Sequence, residues 1–217
     1  MIKLMIFDLD GTVLDTISTI AYYGNLSLEK FGLPKFTNEK YKYFTGEGAK
    51  NLTLRMLEDI GAYTPKLHKE LYDFYMKSYN ADPTYKTTIF PHLKETLKKV
   101  KEKGIKIAIL SNKPHFATED VTKKLFGNDF FDLVLGQREN IPLKPDPQAV
   151  YEIMDYFNVK DYECIFLGDT STDIKTGKNA NLYTVGVLWG FRNFKELSDS
   201  GADVIISKPE TIFDIIN

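Results

Sequence analysis

A single cysteine, Cys164, occurs among 217 residues, so no intrachain disulfide can form, and a lone thiol inside the apolar run ECIFLG suits a reducing cytoplasm. Charge of one sign is not in excess. With 28 Lys and Arg against 30 Asp and Glu, the formal net charge is -2, which gives no overall positive field to recruit nucleic acid or anionic lipid. Long hydrophobic runs are missing too: the first apolar stretch, MIKLMIF, is cut by Asp8 and Asp10, too short for a signal peptide's apolar region and far too short to span a bilayer. Secretion, membrane insertion and a nucleic-acid partner are therefore not expected. Three histidines, His68, His92 and His115, show no ligand-like spacing and read as surface or capping residues. Neither an internal repeat nor a low-complexity segment is found, and 43% hydrophobic with 27% charged residues is ordinary globular usage.

What is present is an alternation of strands and helices with one interruption. Ile2 to Phe7 is almost wholly apolar and ends in a DG turn signal, as a buried strand of a parallel sheet does. From Asp15 to Tyr85 the pattern is helical and aromatic, with no convincing strand. Gly48 to Ile60 reads as a helix stopped by Gly61, with Leu57 and Ile60 on its apolar face; Thr64-Pro65 starts another, on which Leu67, Leu71 and Phe74 or Tyr75 recur. After Tyr85 come a helix from about Pro91 to Lys103 and the strand IKIAIL, then candidate strands DLVLG, ECIFLG, YTVGVL and DVIIS, with helices starting near Pro114, Pro147 and Thr172. The expected fold is α/β: a doubly wound parallel sheet over residues 1–14 and 86–217, with a helical cap inserted over 15–85. Tyr22, Tyr41, Tyr43, Phe44 and Tyr75 are expected in the core of that module, and Lys98, Lys99, Lys101 and Lys103 on a solvated helix face.

Ligands of open α/β sheets bind beyond the carboxyl ends of the strands. Strand one is followed there by Asp8-Leu9-Asp10-Gly11-Thr12, IKIAIL by Ser111-Asn112-Lys113, and ECIFLG by Asp169-Thr170-Ser171-Thr172-Asp173. Four carboxylates, a hydroxyl and an amide converge on one edge, and crowded carboxylates need a proton or a cation. An all-oxygen set suits a hard divalent ion, Mg²⁺ first. Lys144, in Leu143-Lys144-Pro145-Asp146-Pro147, could offset the charge of a phosphoryl group. A nucleophilic carboxylate, a metal, hydrogen-bond donors and a cation are what phosphoryl transfer requires.

FDLDGT (Phe7 to Thr12), LSNK (Leu110 to Lys113), KPDP (Lys144 to Pro147) and GDTSTD (Gly168 to Asp173) resemble, in order and spacing, the four motifs of the haloacid dehalogenase superfamily of phosphatases. The match is closest to the phosphoglycolate phosphatase-like branch, which also shows a stretch like Gly186 to Gly190, and the helical insertion is similar to that family's cap. The resemblance implies Asp8 as nucleophile and Asp10 as general acid and base. It further implies Mg²⁺ on Asp8, the Asp10 carbonyl and Asp169, with Asp173 beside or behind it. Thr12, Ser111, Asn112 and Lys144 would hold the phosphoryl group, and Lys50 and Arg55 of the cap are candidates for a substrate anion. Asn181 departs from the family where a glycine often ends the helix, and Thr170 stands where serine is commoner.

A cytoplasmic, Mg²⁺-dependent phosphatase of a small phosphorylated metabolite is thus expected, with phosphoglycolate first. An inorganic pyrophosphatase or 5'-nucleotidase on the same scaffold is the alternative. A β-phosphoglucomutase-like activity is weaker, since Ile20 stands where that group has a histidine, and so is a non-catalytic regulatory module, for which Asp10 would serve no purpose.

Overall fold

The computed structural model describes residues 1–216. They form two compact units: Met1–Asp15 with the chain from Thr88 onward, and Thr16–Thr87. In the first unit the strands are β1 (Leu4–Phe7), β2 (Leu14–Asp15), β3 (Thr88–Ile89), β4 (Lys106–Pro114), β5 (Leu133–Gln137), β6 (Cys164–Gly168), β7 (Tyr183–Val187) and β8 (Val204–Ile206). The second unit holds the helices α1 (Ile17–Lys30), α2 (Asn38–Phe44), α3 (Gly48–Ile60) and α4 (Pro65–Ala81). The first resumes with α5 (Leu93–Glu102), α6 (His115–Phe126), α7 (Gln148–Phe157), α8 (Ser171–Asn179), α9 (Phe194–Asp199) and α10 (Ile212–Ile216).

Six strands make one sheet in the order β5-β4-β1-β6-β7-β8, every pair parallel. Parallel strands buried on both faces read as continuous apolar runs, and β1 shows why. Met5 and Phe7 pack into one core with Ile107, Ile109, Ile165 and Leu167, while Leu4 and Ile6 pack into the other with Ala108, Leu110, Cys164 and Phe166. The chain leaves β1 for β4 and β5 on one side and returns to β6 on the other, so β1 lies at the reversal of strand order where such sheets bind ligands.

Two short strands depart from the expected pattern. β2 and β3 pair antiparallel, Leu14 with Ile89 and Asp15 with Thr88, where the chain leaves and re-enters the sheet unit. This ladder puts the boundaries at Asp15 and Thr88, slightly beyond the expected 14 and 86.

In the helical unit, Gly61 ends α3 at φ +75°, and the Thr64 hydroxyl accepts from Leu67 N at 3.1 Å to cap α4. Leu71, Tyr75 and Tyr79 form the buried stripe of α4, so Tyr75 rather than Phe74 faces inward. Tyr41 and Phe44 are buried as expected. Tyr22 and Tyr43 are not, being 40% and 65% exposed, because their positions on α1 and α2 point off the packed faces. Lys101 also differs from expectation: it is half-buried, donating to the Phe130 carbonyl and ion-pairing with Asp132 at 3.5 Å. No helix among the described residues is long and apolar enough to cross a membrane.

Candidate active site

Asp8 is the first residue past β1, its N–H donating to the Leu167 carbonyl at 2.9 Å; since Phe7 pairs with Leu167, the residues following β1 and β6 emerge side by side. Gly11 turns the chain at φ +93°, and a Cβ there would stand 2.4 Å from Asp169 Oδ2, so glycine is required both by the turn and by the carboxylate beside it. Asp169 is fixed at both oxygens, by the Thr12 hydroxyl at 3.1 Å and Phe191 N–H at 2.7 Å. Asp173 closes a capping box at the start of α8: one oxygen accepts from Thr170 N–H at 3.0 Å and the Thr170 hydroxyl at 2.7 Å.

Lys144 binds these pieces together. Its buried ammonium donates to Asp8 Oδ1 at 2.6 Å, Asp173 Oδ1 at 2.7 Å and the Leu110 carbonyl at 3.1 Å. Asn112 fixes the Lys144 backbone in turn, donating to its carbonyl at 3.1 Å and accepting from its N–H at 2.8 Å. Oxygens of Asp8, Asp169 and Asp173 lie within 4.8 Å of one another, all three residues buried. Burial, then the charges of Asp173 and Asp169, push the Asp8 carboxyl well above its ordinary range against the pull of Lys144. Burial and Asp173 likewise push Asp169 up to about 7. Lys144 pairs with Asp8 and Asp173, and Asp169 is buried beside them, so the carboxyl groups of the cluster outnumber its one ammonium. A hard dication on an all-oxygen donor set fits this centre.

The remaining expected residues fall as follows. Ser111, Asn112 and Lys113 were expected just past the strand; they belong to it, because β4 continues to Pro114 across a shift of register after Leu110. Thr12, expected on the phosphoryl group, is buried with its hydroxyl given to Asp169. Lys50 and Arg55 belong to the helical unit, where Arg55 ion-pairs with Glu47 at 2.6 Å and donates to the Phe44 carbonyl at 3.3 Å. Asn181 adopts φ +59°, the left-handed conformation asparagine tolerates, so the turn after α8 survives without glycine. His115 accepts from Gly136 N–H at 3.1 Å.

Three further residues hold the acidic side chains in place. Lys113 places its ammonium on Asp10, 2.9 Å from Oδ1 and 3.2 Å from Oδ2. Its signal was its position two residues beyond Ser111, which in an extended segment is the same face. Thr170 holds Asp173, and the spacing Thr170-x-x-Asp173 was a readable capping box. Gly190 lets its loop close on Asp169: a Cβ there would meet the Asp169 Cβ and the Gly11 carbonyl, each at 2.3 Å.

Carboxylates and an ammonium thus gather at the carboxyl edge of a parallel sheet, where the strand order reverses and α/β sheets bind their ligands. Residues 5–187 match the model of the haloacid dehalogenase-like hydrolases. Over 99% of its length the chain is 28% identical to a phosphoglycolate phosphatase of Aquifex aeolicus, covering 97% of that protein, and 29% identical to one of Vibrio vulnificus, covering 96%. Its fold matches that of a supposed phosphoglycolate phosphatase of Lactobacillus delbrueckii subsp. bulgaricus with a TM-score of 0.92, at 30% identity over 99% of this chain and 98% of that one. The chain belongs to the haloacid dehalogenase-like hydrolases and is a phosphatase of that family.

Proposed function

We propose that the chain is a Mg²⁺-dependent, cytoplasmic phosphatase of small phosphate monoesters, with phosphoglycolate as its first substrate, working through a phosphoryl group carried on Asp8. One observation carries the reading. Asp8 is buried past the central strand with one oxygen on Lys144, beside Asp169 and Asp173, while Asp10, two residues on, stands outside that cluster on a different lysine. Two carboxylates so close in sequence and so different in surroundings can take opposite protonation roles.

In this reading an Asp8 oxygen attacks phosphorus as the bond to the leaving oxygen breaks, and Asp10 gives that oxygen its proton. Asp10 then takes a proton from the water that attacks the phosphoryl group, returning Asp8 and inorganic phosphate. The Ser111 hydroxyl and the Asn112 backbone hold phosphoryl oxygens, and Lys144 offsets their charge. Asp8, Asp169 and the Asp10 carbonyl would hold Mg²⁺. Asp173, whose oxygens are already on Lys144 and Thr170, would stand behind it. The ion supplies Lewis-acid stabilisation of the phosphoryl charge.

Phosphoglycolate as substrate is supported by the names of the Aquifex and Vibrio relatives. A phosphomutase finds no support at Ile20, which is apolar and buried in α1. The test is Asp8→Asn: with Mg²⁺ and phosphoglycolate, hydrolysis should disappear. In quenched wild-type turnover, borohydride should convert one aspartyl residue, position 8, to homoserine by mass spectrometry. Wild-type-like turnover by Asp8→Asn would refute the assignment.

A further inference from the structure

Trp189, the chain's only tryptophan, has no part in the reaction above. Its indole is half-buried, packed against the core that includes Phe7, Leu9 and Val187, and its Nε1–H donates to the Thr12 carbonyl at 2.9 Å. A buried indole N–H finds a partner as a rule; here the partner is the backbone of a residue whose own hydroxyl donates to Asp169 Oδ1 at 3.1 Å. The bond from Thr12 N–H to the Leu9 carbonyl is longer, at 3.3 Å. Threonine is branched at Cβ and has few rotamers open to it, so the placement of its backbone decides where its hydroxyl points. Two residues past the tryptophan, Phe191 N–H donates to Asp169 Oδ2 at 2.7 Å. Residues 189–191 therefore reach both oxygens of one carboxylate, directly on one side and through Thr12 on the other. Each oxygen keeps a second lone pair, so these bonds orient the carboxylate without closing it to an ion.

We infer that Trp189 is a positioning residue for the metal centre: by holding the Thr12 carbonyl it aims the Thr12 hydroxyl at Asp169, and so raises the affinity of the acidic cluster for Mg²⁺. This rests on the reading of Asp169 as a Mg²⁺ ligand and deepens it, since it gives the loop after β7 a task in holding the ion. Groups that hydrogen-bond a ligating carboxylate set its orientation, and losing one typically costs about 10- to 100-fold in metal affinity. Thr12 is such a group. Trp189 acts one bond further out, and a single hydrogen bond between neutral groups predicts a smaller effect, about 3- to 10-fold.

The experiment measures Mg²⁺ binding to the substrate-free protein by titration calorimetry in wild type, Trp189→Phe, Thr12→Val and the double variant. Trp189→Phe keeps an aromatic ring in the core and removes the N–H, while Thr12→Val keeps the branched shape and removes the hydroxyl. Trp189→Phe should raise the Mg²⁺ Kd about 3- to 10-fold, and Thr12→Val about 10-fold or more. With Thr12→Val already in place, Trp189→Phe should change Kd by less than about twofold, because no hydroxyl is left to aim. A tryptophan that serves packing alone would lower stability to urea in Trp189→Phe and leave the Mg²⁺ Kd at the wild-type value, which overturns the inference. Equal effects of Trp189→Phe on Kd in both backgrounds also overturn it, since the path would then not run through Thr12. Because the chain has one tryptophan, biosynthetic replacement of tryptophan by benzothienylalanine exchanges this N–H for sulfur within the same outline, and an unchanged Kd in that protein overturns the inference without relying on a variant that has to repack. Absence of Mg²⁺ binding by the wild type would instead strike the metal reading itself.

Discussion

Asp169 shows how a single residue can be held in place and yet be out of balance. Its oxygens are satisfied by Thr12 and Phe191, but its charge is not, since burial and Asp173 both oppose ionisation. An amide of the same shape keeps much of the geometry without the charge. Asp169→Asn is therefore expected to raise the thermal midpoint of the metal-free protein, by the equivalent of about 1 kcal/mol or more, and to abolish stabilisation by Mg²⁺. The wild type should gain about 2.7 kcal/mol at a Mg²⁺ concentration 100 times its Kd. Thermal scans of both proteins with and without the ion check this, and an Asn variant still stabilised by Mg²⁺ would take Asp169 out of the ligand set. Cys164 makes a quieter case. Burial, followed by the charges of Glu163 and Asp161, pushes its thiol up to about 12, and its Sγ donates to the Lys160 carbonyl. Thiol reagents at pH 8 should leave the folded protein untouched and titrate one group after denaturation. At this scale the acidic site residues were legible because carboxylates directly after apolar strands have few structural uses. Lys113 was not, since a lysine leaving a strand reads as solvated, and its ammonium meets Asp10, which lies 103 residues away in sequence.

Elements were legible wherever one residue type decides their ends. Gly61 and Thr64 fixed the turn from α3 to α4, and proline at the first position of α4 agreed with them. The paired strands β2 and β3 were not readable, because two residues each carry no periodicity. Neither were the exposed tyrosines, since aromatic content signals a core while angular position on the helix decides which rings enter it. The loop after β7 gives the sharpest test of how an element serves the site. Gly190→Ala would drive a methyl group into backbone at Gly11 and into the stem of Asp169. Flexible side-chain ends could yield to it, but these atoms cannot. The substitution should cost on the order of 1 to 3 kcal/mol of stability and reduce turnover far more than Thr64→Ala, which removes only the α4 cap at about 1 kcal/mol. Urea unfolding with nitrophenyl phosphate kinetics on both variants separates the two. Equal activity in both would mean that the loop does not hold Asp169.

At the scale of the whole molecule, sequence patterning predicted an interrupted sheet, and the structure adds how the interruption is joined. Leu14–Asp15 and Thr88–Ile89 pair antiparallel inside the sheet unit, so the chain leaves and returns at adjacent points of one ladder. Across such a pair the Cα atoms stand about 5 Å apart, a gap that a two-residue turn closes. Residues 16–87 can then be replaced by Asn-Gly, converting β2 and β3 into an ordinary hairpin. The sheet unit retains all six parallel strands, both apolar cores and every residue from Asp8 to Asp173 placed in the reaction. It is expected to fold cooperatively, with strand content by circular dichroism intact, and to hydrolyse nitrophenyl phosphate with Mg²⁺, whose leaving group departs without help. Lys50 and Arg55 leave with the helical unit. If they bind a substrate anion, the ratio of phosphoglycolate to nitrophenyl phosphate turnover will fall below that of the intact chain. A sheet unit that folds but cleaves neither ester would show that the helical unit supplies a group the chemistry needs, and the reaction could then no longer be assigned to sheet residues alone.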